Sequence, residues 1–380
     1  MQNNKPHIIT IGGGNGHSNI LAGIHETFEN RVNLSSIVSM SDDGRTTGLL
    51  MRYFSEDLSI HFPPPWDLRR CLYVLSESKY NTEFQKYFEM VLVDDVSIDT
   101  LTLGDISRMA WAYEFLEKIN FPYFEVKLPL GRSLNGHKFG NIFMGFLFYH
   151  FDQNYEKMMD AMHTLLEVKS NIIPVTTDAA YIQATLGNGV IIEKQDNISN
   201  VCGYDSRIIK LSLMEGSHGA RYAWGLVRAL TGVDYIILAP GDLYTSTLSN
   251  LIIWGMKELI RHLDAKIIYV ANNTNKWGET NGYAILDFIL EIERYLGKPI
   301  DIVIANDKKL DLNFEDIQKL KTNISVKWGE YIYITDDERA YLESRKVQII
   351  EDDLIDRTSL YKHDNIKLAK ILENIIFSEK

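Results

Sequence analysis

The chain has 380 residues, of which 45% are hydrophobic and 24% are charged, so it carries enough apolar material for a large folded core. Its net charge of -12 argues against binding to nucleic acid or to anionic membranes, because the field of the whole molecule repels polyanions. It has two cysteines, no signal-peptide pattern and no apolar run near the ~20 residues of a membrane span. We therefore expect a cytoplasmic protein without a membrane span or a disulfide framework.

The first elements along the chain form a βαβ pattern. The β-branched run His7–Ile11 predicts a buried strand, Ser18–Glu29 has the apolar spacing of a helix, and Leu34–Met40 predicts a second strand. Such a unit implies a parallel sheet with a helical crossover. Further helices are predicted at Trp66–Ser78, Asn81–Val93, Leu103–Ile119, Asn141–Phe151 and Tyr155–Leu166.

Strands and helices alternate again in the C-terminal half. Strands are predicted at Tyr235–Ala239, Ala265–Ala271 and Ile300–Ala305, and helices at Thr245–His262, Tyr283–Leu296 and Asp364–Ile376. This alternation predicts an α/β fold, Rossmann-like and doubly wound, with a mostly parallel sheet and a helical cap or insertion. We expect residues 1–80 and 170–310 to form the Rossmann-like core, residues 81–169 the helical insertion, and residues 311–380 a C-terminal α/β extension.

A glycine-rich turn joins the first strand to the first helix. It consists of Gly12, Gly13, Gly14, Asn15, Gly16 and His17. Glycines allow the backbone to approach a ligand closely, and a helix N-terminus offers N–H groups to an anion. The turn matches neither a full G-x-G-x-x-G fingerprint nor a P-loop, so it favours phosphate binding without proving a dinucleotide. His17 either contacts the phosphate or caps the turn, and a tight turn needing glycine is the simpler alternative.

An acidic turn follows the second strand and contains Asp42 and Asp43. Ligands of open α/β sheets bind off the carboxyl ends of the strands, so we expect this turn and the glycine turn to face one cleft. The two carboxylates could hold Mg²⁺ beside phosphates, or one could bind a ribose hydroxyl. An acidic turn that only caps a helix is the alternative.

A proline-rich segment, Pro63–Pro65, leads into Trp66, Asp67, Arg69 and Arg70. The arginines could clamp a phosphate through paired hydrogen bonds, and Trp66 could stack on a ring. Helix capping with surface arginines explains the same residues without a ligand.

Seven motifs in order make this chain resemble the family that contains 2-phospho-L-lactate transferase and the bacterial gluconeogenesis factor, which binds UDP-sugars. They lie at Gly12–Gly16, Asp42–Gly48, Pro64–Arg69, Gly136–Asn141, Pro174–Asp178, Ala239–Ser246 and Gly278–Tyr283. The tail around His363 and Asp364 is also similar to the usual ending of the family. Seven ordered motifs are far more specific than any one of them.

The resemblance implies roles for residues that periodicity does not single out. Asp178 becomes a third carboxylate beside Asp42 and Asp43, so these three are the expected metal ligands, and Asp42 and Asp178 the expected catalytic residues. The expected nucleotide or phosphate contacts are Gly12, Gly13, Gly14, Asn15, Gly16, His17, Asp43, Arg69, His137, Asn141, Pro240, Gly241, Tyr244 and Thr245. A turn or capping role remains the alternative for His137 and Thr245.

The chain departs from the family pattern at several loop positions. Arg45-Thr46-Thr47 replaces the Gly-Ser-Ser of the pattern, and Trp66 replaces a glycine. Asp242 replaces a serine, and Asn281 replaces an aspartate. The change to Asp242 is the most telling, because a carboxylate at a helix N-terminus repels a phosphate. It holds a cation, accepts a sugar hydroxyl or caps the turn, or else the loop no longer meets phosphate.

Two classes of function fit these features. In the first, which we favour, the protein binds a UDP-sugar or similar nucleotide diphosphate in a multi-loop cleft and regulates carbon and cell-envelope metabolism. In the second it is a transferase that uses Mg²⁺, a nucleotide-diphosphate-linked donor and a deazaflavin-like acceptor. An NAD(P)-binding protein is a weaker third reading. Mg²⁺ is the candidate ion, and the sequence does not establish any organic cofactor. We expect a homo-oligomer that binds no nucleic acid.

Overall fold

The computed structural model describes residues 5–93, 101–129, 132–200, 206–310, 315–316 and 328–378. The chain divides into two compact units. The sheet unit consists of Met1–Ser41, Ser170–Thr176 and Ala180–Lys380, and the helical unit of Asp42–Lys169 and Thr177–Ala179. The domain boundaries expected from the sequence stay predictions. No helix in the described ranges is both long and apolar enough to cross a membrane.

The strands are β1 (His7–Gly12), β2 (Asn33–Val38), β3 (Leu101–Thr102), β4 (Lys127–Leu128), β5 (Asn171–Pro174), β6 (Ile182–Leu186), β7 (Ile191–Glu193), β8 (Ile208–Leu213), β9 (Tyr235–Leu238), β10 (Lys266–Val270), β11 (Thr274–Lys276), β12 (Ile302–Asn306), β13 (Trp328–Tyr331) and β14 (Gln348–Asp352). The helices of the sheet unit are α1 (Gly14–Phe28), α9 (Gln195–Asn200), α10 (Gly225–Leu230), α11 (Ser249–Leu251), α12 (Met256–Arg261), α13 (Ile285–Leu296), α14 (Asp336–Ser344) and α15 (Asn365–Phe377). Those of the helical unit are α2 (Arg45–Leu58), α3 (Trp66–Val74), α4 (Asn81–Phe88), α5 (Leu103–Met109), α6 (Tyr113–Lys118), α7 (Phe139–His150) and α8 (Tyr155–Leu166).

A seven-stranded sheet forms the centre of the sheet unit, in the order β14-β12-β10-β9-β1-β2-β5. All neighbouring strands in it pair in parallel. The middle strands are apolar and buried, as strands covered on both faces must be. This sheet with its flanking helices confirms the predicted α/β fold.

The C-terminal helix α15 packs on α1 and closes one face of the sheet. Phe28 of α1 meets Phe377 of α15 edge to face, with ring centroids 5.8 Å apart. The two helices come so close that a Cβ on Gly23 would lie 2.2 Å from the carbonyl oxygen of Asn365. The predicted closing helix therefore belongs to the core, and a larger residue at position 23 would separate the two helices.

The strand order reverses at β1. The chain passes from β1 outward to β2 and β5, and it later returns to β9 on the other side of β1 and continues through β10, β12 and β14. Such a reversal separates the loops at the carboxyl ends of the two neighbouring strands and opens a ligand site there. In this chain the two loops begin after Gly12 and after Leu238.

Two predicted helices are interrupted. The prediction of one helix at Leu103–Ile119 is wrong, because α5 ends at Met109, Trp111 adopts a left-handed φ of 55° and α6 begins at Tyr113. The prediction at Thr245–His262 is also wrong. That segment contains a π-helical turn at Leu243–Leu248, then α11, then a break at Gly255 with φ of 88° before α12.

The antiparallel sheet β7-β6-β8 was not predicted. Strand β8 pairs on one side with β6, and side chains of α13 cover its other edge. The Tyr295 hydroxyl accepts from the Leu211 N–H at 2.7 Å, and Arg294 donates to the Ile209 carbonyl at 2.9 Å. Such side-chain cover protects an edge strand from pairing with another chain.

Aromatic side chains fill the helical unit. Helix α7 is buried along most of its length, and its Phe143 packs against Phe88 of α4 with ring centroids 4.7 Å apart. Phe54 of α2 stacks on Phe62 at 4.7 Å. Helix α2 was not predicted, although Leu50, Met51 and Phe54 on its buried face follow a helical spacing.

Candidate functional site

The glycine turn of the sheet unit ends β1 and begins α1. Gly13 is the N-cap and has an extended backbone, with φ of -160° and ψ of 174°, and Gly14 is left-handed with φ of 67°. Gly13 has no side chain to cap α1, and the first turn of the helix contains no acidic residue. The N-terminus of this 15-residue helix therefore presents its positive dipole end at the point where the strand order reverses.

The glycine turn packs directly on the loop that follows β9. A Cβ on Gly16 would lie 1.9 Å from the carbonyl oxygen of Pro240, and a Cβ on Gly12 would lie 2.9 Å from Cβ of Ala239. A Cβ on Gly241 would approach the carbonyl oxygen of Gly13 to 3.4 Å. Packing alone thus explains glycine at positions 12 and 16, whereas position 14 needs glycine for its φ.

His17 is completely buried beneath the turn. Its Nε2 forms hydrogen bonds with the hydroxyls of Thr10 at 2.9 Å and Ser36 at 3.2 Å. Burial lowers the pKa of His17 to about 4, so the ring is neutral at pH 7. These contacts join α1 to β1 and β2, and the phosphate contact expected for His17 stays a prediction.

The loop after β9 contains Pro240, Gly241, Tyr244 and Thr245. The carboxylate of the buried Glu279 accepts hydrogen bonds from the N–H groups of Tyr244 at 2.8 Å and Thr245 at 3.0 Å. The Tyr244 side chain is buried, and its hydroxyl donates to the Ile208 carbonyl at 3.0 Å. Two of the backbone donors expected to hold a phosphate therefore already bind a carboxylate of the protein itself.

Lys276 lies between two carboxylates of this loop region. It forms ion pairs with Asp242 and, at 3.2 Å, with Glu279, and it donates to the Ser199 hydroxyl at 2.8 Å. Burial opposes the charge on Lys276, but the attraction of Asp242 and Glu279 is stronger and raises its pKa above the ordinary value. Asn272 fixes the loop further by donating to the Gly241 carbonyl at 2.7 Å.

Sequence reasoning missed Glu279 and Lys276 as parts of the site. Glu279 stands inside the Gly278–Tyr283 motif, so the motif was a signal, but its carboxylate acts on residues 34 and 35 positions earlier. No local pattern indicates such a contact.

The acidic turn belongs to the helical unit. Asp42 accepts a hydrogen bond from the Gly44 N–H at 3.2 Å. Burial, with a contribution from the nearby charge of Asp67 and a smaller one from Asp43, raises the pKa of Asp42 to about 7. Carboxylates crowded in this way favour a bound cation or a shared proton.

The metal expected here can be tested against the donors present. Within the described ranges, no three His, Cys, Asp or Glu side chains form a group that could hold a metal ion. Mg²⁺ is commonly held by one or two carboxylates, with waters and substrate phosphates supplying the other oxygens. Asp42 with one neighbouring aspartate fits that smaller donor set. Asp178 has His61 as an electrostatic neighbour, and its role as a third ligand stays a prediction.

Arg69 is completely buried in the helical unit. Its guanidinium donates to the Phe88 carbonyl at 2.6 Å and to the Glu89 carboxylate at 2.7 Å. Trp66 is the residue predicted to stack on a ligand ring. Three cations lie near its ring centroid: Lys138 at 4.2 Å, Arg70 at 4.6 Å and Arg69 at 4.9 Å. In this structure Arg69 joins α3 to the end of α4, and its phosphate contact stays a prediction.

His137 and Asn141 are each 1% exposed in the helical unit. Nδ1 of His137 and Oδ1 of Asn141 have no hydrogen-bond partner among the described residues. Burial lowers the pKa of His137 to about 4. Leaving a buried polar atom unpaired costs about 1–3 kcal/mol, so these two atoms favour a bound water or ligand.

Comparison with known proteins decides the family. The sequence model of 2-phospho-L-lactate transferase CofD matches residues 8–355. The chain belongs to this family. A Clostridium acetobutylicum relative is 28% identical over 378 residues, which cover 99% of this chain and 70% of that protein. The gluconeogenesis factor of Bacillus subtilis is 23% identical over 375 residues, covering 98% of both chains.

A crystal structure of a Bacillus halodurans protein has the same fold as this CofD family member. The TM-score is 0.74 at 20% sequence identity, and the match covers 97% of this chain and 99% of the other. The gluconeogenesis factor of Halalkalibacterium halodurans is 25% identical over 305 residues, which cover 80% of this chain and 78% of that protein.

Two departures from the CofD family pattern now have structural explanations. Asn281, in place of aspartate, accepts a hydrogen bond from the Gly278 N–H at 2.6 Å, so its amide oxygen still closes the turn. Asp242, in place of serine, pairs with Lys276 and accepts a hydrogen bond from Ser199 at 3.2 Å. The amide oxygen of Asn281 therefore closes the turn, and the carboxylate of Asp242 gives the loop a negative charge.

Proposed function

We propose that this chain binds a UDP-sugar or a similar nucleotide diphosphate at the carboxyl ends of β1 and β9, and that it acts as a regulatory protein of the gluconeogenesis-factor type. The observation that carries the proposal is the N-terminus of α1 at the reversal of strand order, with Gly13 as its N-cap. Backbone N–H groups and the helix dipole at such a position attract the phosphates of a nucleotide. The names of the B. subtilis and H. halodurans relatives support the regulatory part.

The buried histidine below the turn supports a rigid anion site. Because His17 is neutral and hydrogen-bonded to Thr10 and Ser36, it orients the start of α1 and adds no charge. A preorganised loop loses little conformational entropy when a phosphate binds. Attraction of the phosphate would then come from the backbone of the turn.

Mg²⁺-dependent transfer is the second candidate function, and the proximity of the Asp42 carboxyl group to the charges of Asp67 and Asp43 is the observation that favours it. A bound Mg²⁺ would keep Asp42 ionised and would neutralise the charge of a diphosphate donor. In such a reaction the chain's own residues would position the donor, and Asp42 with a neighbouring aspartate would hold the ion.

A thermal-shift series separates the two functions. The protein is melted with UDP-N-acetylglucosamine, GDP, NAD or Mg²⁺, alone and in combination. A ligand present at 1,000 times its Kd stabilises the fold by about 4 kcal/mol. Stabilisation by the UDP-sugar without turnover supports the regulatory protein, whereas phosphoryl transfer to a deazaflavin acceptor contradicts it. If Asp42→Asn with Asp178→Asn leaves Mg²⁺-dependent binding unchanged, the proposed metal site is wrong.

A further inference from the structure

We infer that Asp242 recognises a sugar-ring hydroxyl of the ligand, so that the loop after β9 selects a hydroxyl-bearing group while the glycine turn binds the phosphate. This inference rests on the proposed nucleotide site and names what one of its loops contacts.

The loop after β9 has no spare backbone donors at Tyr244 and Thr245. The Glu279 carboxylate accepts from both N–H groups and also lies 3.3 Å from the Thr245 hydroxyl. Glu279 is 2% exposed and therefore cannot leave without exposing a buried turn. A phosphate at these two amides would have to displace a carboxylate of the protein.

The charge of the loop after β9 also disfavours a phosphate. The single positive charge of Lys276 is already paired with both Asp242 and Glu279, and burial raises the pKa of Glu279. The partly exposed charge of the loop is the carboxylate of Asp242. A phosphate at this loop would meet a like charge, whereas a neutral hydroxyl would not.

Hydrogen bonds fix the orientation of the Asp242 carboxylate. Its Oδ2 accepts hydrogen bonds from both the Lys276 ammonium and the Ser199 hydroxyl, so the carboxylate is held in one position. Its side chain is 36% exposed, and among the described residues no hydrogen bond to Oδ1 is present. An ionised carboxylate only accepts hydrogen bonds, which makes it complementary to hydroxyl donors.

The glycine turn and the loop after β9 touch. A Cβ on Gly241 would come within 3.4 Å of the Gly13 carbonyl oxygen, and a Cβ on Gly14 would come within 3.6 Å of the Ser246 hydroxyl. Asp242 follows Gly241 directly in the chain. A ligand with its phosphate at the start of α1 therefore has its adjoining sugar ring close to the Asp242 loop.

The test measures binding by calorimetry for wild type, Asp242→Asn and the control Asp287→Asn. Asp287 is a matched aspartate, since its side chain is also 36% exposed and ion-paired, in this case with Arg207. The probes are UDP-N-acetylglucosamine, UDP, 2′,3′-dideoxy-UDP and inorganic pyrophosphate. Comparison of the first three probes distinguishes the hydroxyls of the attached sugar from those of the ribose.

We expect Asp242→Asn to raise the Kd of each probe that carries the recognised hydroxyl at least tenfold, equivalent to about 1.4 kcal/mol. The Kd of pyrophosphate should change by less than twofold or should fall. Asp287→Asn should change none of the affinities. Equal weakening of every probe by Asp242→Asn, or no weakening of any, overturns the inference while nucleotide binding by wild type still stands. If wild type binds none of the four probes, the proposed function fails and the inference fails with it.

The melting temperature of each variant separates a binding effect from loss of folding. Ser199→Ala provides a second control, because it removes one hydrogen bond that holds Asp242 and keeps the carboxylate. Its expected effect on the hydroxyl-bearing probe is smaller than that of Asp242→Asn. A larger effect would assign the hydroxyl contact to Ser199 and would contradict the role given to Asp242.

Discussion

Replacement of Gly16 by alanine tests the contact between the glycine turn and the loop after β9. The new Cβ would lie 1.9 Å from the oxygen and 2.8 Å from the carbon of the Pro240 carbonyl. Carbon atoms pack at about 3.5 Å, so the two loops have to move apart. Overpacking costs about 1–3 kcal/mol, and we expect the upper end because the obstruction is backbone.

The assay is thermal unfolding of three alanine variants beside wild type. At no more than about 2 °C per kcal/mol for a chain of 380 residues, Gly16→Ala should lower Tm by up to roughly 6 °C. Gly14→Ala has room for a Cβ but a left-handed φ of 67°, which costs about 1–2 kcal/mol. Gly219→Ala is the matched control, since nothing lies within 4 Å of its Cβ position. If Gly16→Ala has the same Tm as Gly219→Ala, the close packing of the two loops is refuted.

Three further substitutions test the charges and hydrogen bonds described above. Folding raises the pKa of Asp42 from its reference value of 3.8 to about 7. The resulting contribution to the free energy of unfolding is fully present below about pH 4, and it is lost as the pH rises through 7. With EDTA present, the free energy of unfolding of wild type should therefore fall by at most about 4 kcal/mol relative to that of Asp42→Asn between pH 4 and pH 8. Urea unfolding measures both pH profiles, and parallel profiles would contradict this expectation. Tyr244→Phe should lower the free energy of unfolding by about 1–2 kcal/mol, whereas Tyr341→Phe, at an exposed position, should leave it unchanged. Arg69→Met should lower the free energy of unfolding by about 2–3 kcal/mol, and the surface variant Arg108→Met by less than about 1 kcal/mol. Equal decreases for the two variants would refute the buried role of Arg69.

The sheet could be predicted from sequence because its strands are short apolar runs that periodicity detects. The predicted strand His7–Ile11 differs from β1 by a single residue at its end. The helices failed where backbone conformation, and not apolar spacing, ends them, as at Trp111 and Gly255. The sheet β7-β6-β8 escaped because its strands are short and partly exposed, with β7 only 3 residues long.

The loops of the candidate site were predicted, but the use of their residues was not. The motif order located the turns after β1 and β9, since such loops follow from a parallel sheet. Burial of His17 depends on hydroxyls from two strands, and the Lys276 network depends on a salt bridge to a residue 34 positions away. Contacts of this kind are set by the tertiary fold and leave no local trace in the sequence.

A pair of variants at Gly13 tests the central claim most directly. Its extended backbone accepts any residue, so Gly13→Asp and Gly13→Asn both place an N-cap side chain of equal size at the start of α1. Only the aspartate puts a negative charge where the phosphate should bind. The measurement is the calorimetric Kd for UDP-N-acetylglucosamine. We expect Gly13→Asp to bind at least tenfold more weakly than Gly13→Asn, and equal affinities of the two variants, with wild type binding normally, would place the nucleotide elsewhere.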